Sequence, residues 1–342
     1  MPDTRTQILV VGSGLCGLAI TATAARRGLR VRCVGDGQPG ASLANFGQLH
    51  SGAVYAPVLP EVARACWSHR DRWHDLALPA QVGKPYGYAI FSTTDAVDNY
   101  RAAWRQIGID APEVDPRSNG TLAAYPPAVA AFRIPDLSVD LDILHTRTTA
   151  LALAVGAPPI EHAEVSLHRD PDTTLVSAGP DNLHADLVIL ATGANTPTML
   201  NNAGITHTLR RRRIAWGRYN AAPPTCLTYW LDGDLLAISP DTDNARIGLP
   251  SVNGAYATDE AEYTRIRTAL DHRHIYRSDR NLSLHWGTVC EPANTHADPS
   301  NLVVDLRDPP TGWSKAANLI IALPGKWTTA WYCAEQVINA LG

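Results

Sequence analysis

Lysine is almost missing from this chain: of its 29 basic residues only Lys84, Lys315 and Lys326 are lysines. Generic positive charge is left to arginine, so each lysine calls for a specific explanation. Methionine (2) and phenylalanine (3) are scarce too, and the aromatic mass comes from 9 Trp and 11 Tyr. No apolar run approaches the roughly 20 residues that cross a bilayer, and the first residues lack the order of a signal peptide. A cytoplasmic protein with no membrane span is expected. The six cysteines form no CxxC pair, which points to reduced thiols and no metal site rather than a disulfide frame. Basic excess is absent as well: 29 Lys plus Arg against 33 Asp plus Glu leaves a net charge of -4, so nucleic acid is not an expected partner.

What is present is a globular composition, 45% hydrophobic and 18% charged over 342 residues. That length suits two lobes, because a single core stops growing at roughly 250–300 residues.

Residues 7–11 (QILVV) have the length of a strand and enter Gly12-Ser13-Gly14-Leu15-Cys16-Gly17. An alanine-rich segment at 18–27 reads as a helix closed by Gly28, and 30–34 as a second strand. In this context a G-x-G-x-x-G turn signals dinucleotide binding. Gly12 makes the turn, Gly14 lets backbone N–H groups approach a pyrophosphate, and Gly17 allows the helix to pack on the strand. The position after the second strand, where an acidic residue would meet a ribose, holds Gly35. Asp36, one further on, either does that work or is merely solvated. Residues 187–193 (LVILATG) form another apolar strand, ending in Thr192-Gly193. Residues 318–323 form a third, broken by Pro324-Gly325 and followed by a helix that opens with Lys326-Trp327-Thr328-Thr329. A lysine at the positive end of a helix dipole predicts an anionic neighbour; the plain alternative is an exposed Lys with threonine caps.

Three stretches carry a family resemblance: GASLANFGQLHSGAVYAP (40–57), LVILATG, and GKWTTAWYCAE (325–335). They resemble the flavin-lining segments of the D-amino-acid-oxidase-like FAD-dependent oxidoreductases, nearest the glycerol-3-phosphate dehydrogenase and L-2-hydroxyglutarate oxidase branch. GASLANFG is also similar to relatives of the glycine oxidase type. The resemblance implies an α/β fold, with a Rossmann-like FAD-binding domain at 1–84, 135–206 and 294–342. A mostly antiparallel β substrate-binding domain would take 85–134 and 207–293. It implies FAD as cofactor, contacted by Gly12, Gly14, Gly17, Asp36, Ser42, Asn45, Gln48, Thr192, Gly193, Gly325, Lys326, Thr328 and Thr329. The implied activity is hydride transfer from a CH–OH or CH–NH carbon of a small polar metabolite to flavin N5, with reoxidation by oxygen or another acceptor. A flavoprotein tailoring enzyme acting on a carrier-bound or macromolecular substrate is the alternative. An NAD-dependent enzyme would need nicotinamide contacts, and no second fingerprint is present.

Such an oxidation needs a group to accept the substrate's O–H or N–H proton. His50 is the candidate, since imidazole titrates near pH ~6.5; a packing or flavin-hydrogen-bonding histidine is the equal alternative, and the resemblance adds, as a lesser variant, the covalent flavin attachment that a histidine of this region makes in some amine-oxidising relatives. Lys326 is expected to stabilise charge on the reduced flavin. Tyr55, Tyr86, Trp286 and Glu291 are candidate substrate contacts. Residues 210–213 (RRRR), as a strand, would send alternate guanidiniums to opposite faces. One pair could grip a carboxylate or phosphate; the bland alternative is a solvated or interface strand. Many relatives carry an Arg for the substrate's acidic group near residues 286–292, where this chain reads WGTVCEP. That departure suggests a substrate that is neutral or cationic at this end, or one held by another Arg.

Overall fold

A computed structural model describes residues 6–37, 40–120, 122, 128–172, 176–178, 183–233, 235–250, 258–275, 281–293 and 301–341. The chain divides into two compact units: Met1–Leu43, His145–Arg212 and Thr288–Gly342 form one, Ala44–Leu144 and Arg213–Gly287 the other. Residues 44–84 and 135–144, grouped by resemblance with the nucleotide lobe, pack in the second unit. The expected boundary at 294 lies outside the described residues.

The first unit is built on a sheet ordered Leu302–Asp305, Leu319–Leu323, Leu183–Leu190, Thr6–Val11, Val31–Gly35, Glu161–His162. Along this order the neighbours are parallel except the antiparallel edge strand Leu302–Asp305; off it, Val176–Ala178 pairs antiparallel with both Leu183–Leu190 and Leu167–Arg169. Its strands are apolar on both faces because both are covered. Leu9, Val11, Val188, Leu190, Ile321 and Leu323 point into one core with Leu200 and Ile205. Val10 points the other way, against Gly17 of helix Leu15–Arg26.

A second sheet, its larger part in the second unit, is ordered Leu282–Pro292, Leu209–Tyr219, Ala245–Gly248, Leu236–Pro240, Leu227–Trp230, Gly87–Phe91, Ala130–Ile134, Glu113–Val114. Its registers are antiparallel apart from the parallel pair Leu227–Trp230 and Gly87–Phe91. The sheet is a wall between two cores. On one face Ala89, Phe91, Phe132, Tyr229 and Phe46 pack with helix Thr94–Ile107; on the other Tyr88, Ile90, Trp230 and Ile247 pack with helix Asp259–His272. No described helix is long and apolar enough to cross a membrane.

Candidate active site

In the first unit, five parallel strands end on one edge, and the three glycine motifs read separately in the sequence follow three of them. Parallel α/β sheets bind ligands at this edge. Gly12 has φ +112°, and a Cβ there would stand 2.5 Å from the Ala191 carbonyl oxygen, so the first turn and the Ala191-Thr192-Gly193 turn touch. A Cβ on Gly17 would lie 1.8 Å from the Gly12 oxygen. Helix Leu15–Arg26 starts at Gly14 without a side-chain cap. Ser42 Oγ accepts from the Leu15 N–H at 3.4 Å and lies 3.3 Å from where a Gly14 Cβ would be. The positive end of a 12-residue helix, without a side-chain cap from Gly14 and with the Ser42 hydroxyl beside it, suits a pyrophosphate. His145 Nε2 donates to the Ser13 carbonyl at 2.8 Å and braces the turn, a contact no motif announced.

The displaced acidic residue has a steric cause. A Cβ at position 35 would meet Ser13 Oγ at 2.3 Å and Ser13 Cβ at 2.8 Å, so only glycine fits at the strand end. Asp36 follows, exposed, beyond the strand. At the next strand end Thr192 Oγ1 and Thr196 Oγ1 share a hydrogen bond of 3.0 Å, and Gly193 opens a 3-10 turn.

Lys326 departs from the expected continuous helix: a 3-10 turn, Trp327–Thr329, precedes the α-helix Ala330–Asn339. The Thr329 hydroxyl explains the tight turn, being shared between the carbonyls of Pro324 at 2.5 Å and Lys326 at 2.8 Å. Thr328 and Thr329 are buried, and Lys326 caps the turn half-buried in an extended conformation after left-handed Gly325.

Asn45, Gln48, His50 and Tyr55 belong to the second unit. Asn45 Oδ1 accepts from the Gly47 N–H at 3.1 Å and shapes its own loop. Gln48 Nε2 is buried without a hydrogen-bond partner among the described residues, a donor lacking an acceptor. Strand Gln48–Leu49 pairs with Leu137–Ser138, which brings Asp136 beside His50 and Ser51. Gly52, at φ +100°, turns the chain where a Cβ would meet the Ala63 oxygen at 2.4 Å. The 3-10 turn Ala53–Tyr55 is then held by Trp104 Nε1, which donates to the Ala53 carbonyl at 2.8 Å.

The result is a cluster around one histidine. Tyr55 OH lies 3.2 Å from His50 Nε2. Asp136 Oδ2 and Tyr229 OH each lie 3.4 Å from Nδ1. The Asp136 carboxylate is wholly buried; Oδ1 accepts from the Ser51 N–H at 2.9 Å and from the Ser51 hydroxyl, and Oδ2 accepts from Tyr229 OH at 2.9 Å. Burial first, and the Asp136 charge next, push the Tyr229 phenol well above its ordinary pKa, so it stays a donor.

Strand alternation removes two expected substrate contacts from this face. Tyr86 packs edge-on against Tyr88 in the core under helix Asp259–His272. Trp286 lies under the Arg213 guanidinium, while its neighbour His285 stacks on Trp216 at 4.3 Å, and Trp216 meets Phe46 edge-on. Phe46 and Trp216 share the core of Tyr229. His285, not Trp286, is therefore on the His50 face, and it is held toward the neutral form by burial and then by the charges of Arg218 and Arg246. Glu291 is not displayed: it is buried, and Arg210 and Arg212 hold it at 2.8 and 2.9 Å. The expected alternation of the arginines is real, since Arg211 turns away to the Ala194 carbonyl at 2.6 Å. The carboxylate that the first pair grips is the chain's own.

Residues 7–339 match the family model of the FAD dependent oxidoreductases, DAO. The chain belongs to that family. FAD is its cofactor, and it is an FAD-dependent oxidoreductase. Over 209 residues it is 30% identical to one of the subunits of the anaerobic glycerol-3-phosphate dehydrogenase of Escherichia coli, a match that takes in 58% of this chain and 37% of that protein. The chain thus spans little more than a third of this relative. Among solved structures, iminodiacetate oxidase from Chelativorans sp. BNC1 superposes with a TM-score of 0.73 at 15% identity, covering 98% of this chain and 95% of that one. L-alpha-glycerophosphate oxidase from Mycoplasma pneumoniae gives 0.72 at 15% identity, covering 99% and 95%. At such identities these likenesses describe the fold. The cofactor suits what the first unit presents: a glycine turn and a helix start that its own N-cap residue leaves without a side-chain cap.

Proposed function

We propose that this family member oxidises a CH–OH carbon of a small polar metabolite to a carbonyl, with His50 accepting the hydroxyl proton. Bound FAD supplies the two-electron acceptor for the hydride, which oxygen or another oxidant then removes. The Gly12–Gly17 turn and Ser42 would hold the pyrophosphate, Asp36 a ribose hydroxyl, Gln48 a ring acceptor, and Lys326 with the buried threonine turn the ring edge that gains charge.

The observation that carries the choice of alcohol over amine is the His50 cluster. A carbinol that loses hydride while still protonated on oxygen becomes a strongly acidic protonated carbonyl, so a base at the hydroxyl lowers the barrier. A neutral amine expels hydride with its own lone pair and needs no such base. A histidine backed by a buried carboxylate is machinery for the first case. Because Arg210 and Arg212 already hold Glu291, they favour a substrate without an acidic group at that position. The Escherichia coli relative is named for an alcohol substrate, glycerol 3-phosphate, which supports the same choice.

Anaerobic bleaching of the flavin against neutral alcohols, 2-hydroxy acids and amines tests it. Bleaching by an alcohol, slowed at least 100-fold in His50→Gln, is the expected result; general acid–base groups contribute about 10²–10⁴. Bleaching by an amine that His50→Gln leaves unchanged would sink the assignment.

A further inference from the structure

We infer that Asp136 is a positioning residue that keeps the imidazole proton on His50 Nδ1, so that Nε2 is the atom that accepts the substrate's proton. The inference rests on His50 being the base, and adds which nitrogen acts and what decides it.

The donors around the carboxylate settle the arrangement. Both donors of Ser51 converge on Oδ1. The single proton of Tyr229 goes to Oδ2 at 2.9 Å. Nδ1 therefore faces two oxygens, Asp136 Oδ2 and Tyr229 OH, at 3.4 Å each, and neither has a proton left to give it. Only an N–H at Nδ1 satisfies both. Nε2 is then the lone-pair nitrogen, and its neighbour Tyr55 OH at 3.2 Å donates to it until a substrate hydroxyl takes that place. When Nε2 gains a proton, the imidazolium sits beside a buried carboxylate already fixed by three other donors, so little reorganisation accompanies the transfer. The titratable groups facing the ring are Asp136, Tyr55 and Tyr229, with the Cys66 thiol also near Tyr229.

Asp136→Asn gives a directional test. The two Ser51 donors require an acceptor at the Oδ1 position, so the new amide must turn its NH₂ toward Nδ1, which forces the ring proton onto Nε2. Nitrogen-15 spectra of histidine-labelled protein, with the His50 signal assigned by its loss in His50→Gln, read the tautomer without turnover. Wild type should show neutral His50 protonated at Nδ1, and Asp136→Asn at Nε2. The same change should lower kcat about 10³- to 10⁴-fold, as loss of the correct tautomer does in hydrolase triads, with KM within about 3-fold. Tyr229→Phe, which leaves the carboxylate, should keep the wild-type tautomer. Wild-type His50 protonated at Nε2 overturns the inference even if Asp136→Asn fails to fold. Full turnover in Asp136→Asn overturns it as well. Full turnover in His50→Gln instead removes the base assignment and leaves the tautomer standing.

Discussion

Glu291→Gln separates a structural carboxylate from a substrate contact. Glu291 is fully buried, Arg212 is 12% exposed and Arg210 35%. Removing one member of a buried ion pair costs about 3–5 kcal/mol, whereas a pair with a third of one partner in water adds about 1 kcal/mol at most. Glutamine keeps one acceptor for the guanidinium fork, so the lower end applies, about 3 kcal/mol. At about 2–4 °C per kcal/mol, the Tm should fall by roughly 6–12 °C. Calorimetry of the FAD-loaded protein measures this, and steady-state kinetics at 25 °C should show kcat/KM within about 2-fold of wild type, since the carboxylate touches no reacting group. The triple change Arg210→Met, Arg212→Met, Glu291→Leu should recover most of the loss, because an apolar trio of similar volume leaves no buried charge unpaired. An unchanged Tm together with a tenfold rise in KM would refute the reasoning and return Glu291 to the substrate.

Gly35→Ala places a Cβ 2.3 Å from Ser13 Oγ; the purified protein should lose flavin absorbance, and adding Ser13→Gly should restore it, whereas full retention in the single variant would contradict the steric account. Burial pushes Cys33 up to about 11, Tyr100 to about 12 and Cys290 to about 12. In each the fold holds the protonated form, so the contribution is full below the unfolded values of 9.0 and 10.0 and is lost as pH rises toward 12. Thermal melts should therefore drop steeply between those limits, and mass analysis after thiol labelling at pH 8 should find Cys33 and Cys290 unmodified; labelling of either in the native protein would show the burial to be wrong.

Local signals carried the first unit. The run at 7–11 with its glycine turn and the segments at 187–193 and 318–323 each combine a short apolar strand with its own turn chemistry, and each supplies a strand of one sheet. His50 stood out because its segment, residues 40–57, resembles the flavin-lining segment of the family.

What the sequence determined by itself, then, is whatever depends on neighbours along the chain: the dinucleotide turn, the alternation of Arg210 to Arg213, and the presence of His50 in a loop of constrained shape. The tertiary structure alone decided what depends on distant partners. Asp136 reaches Ser51 across 85 residues and Tyr229 reaches His50 across 179, separations at which no spacing rule operates. Faces of a strand were equally out of reach, since a period of two residues says that His285 and Trp286 point oppositely but not which one meets the core beneath a helix. Burial turned Glu291 from an apparent ligand contact into the counter-ion of two arginines, because a carboxylate removed from water must be paired by whatever cations the fold brings to it.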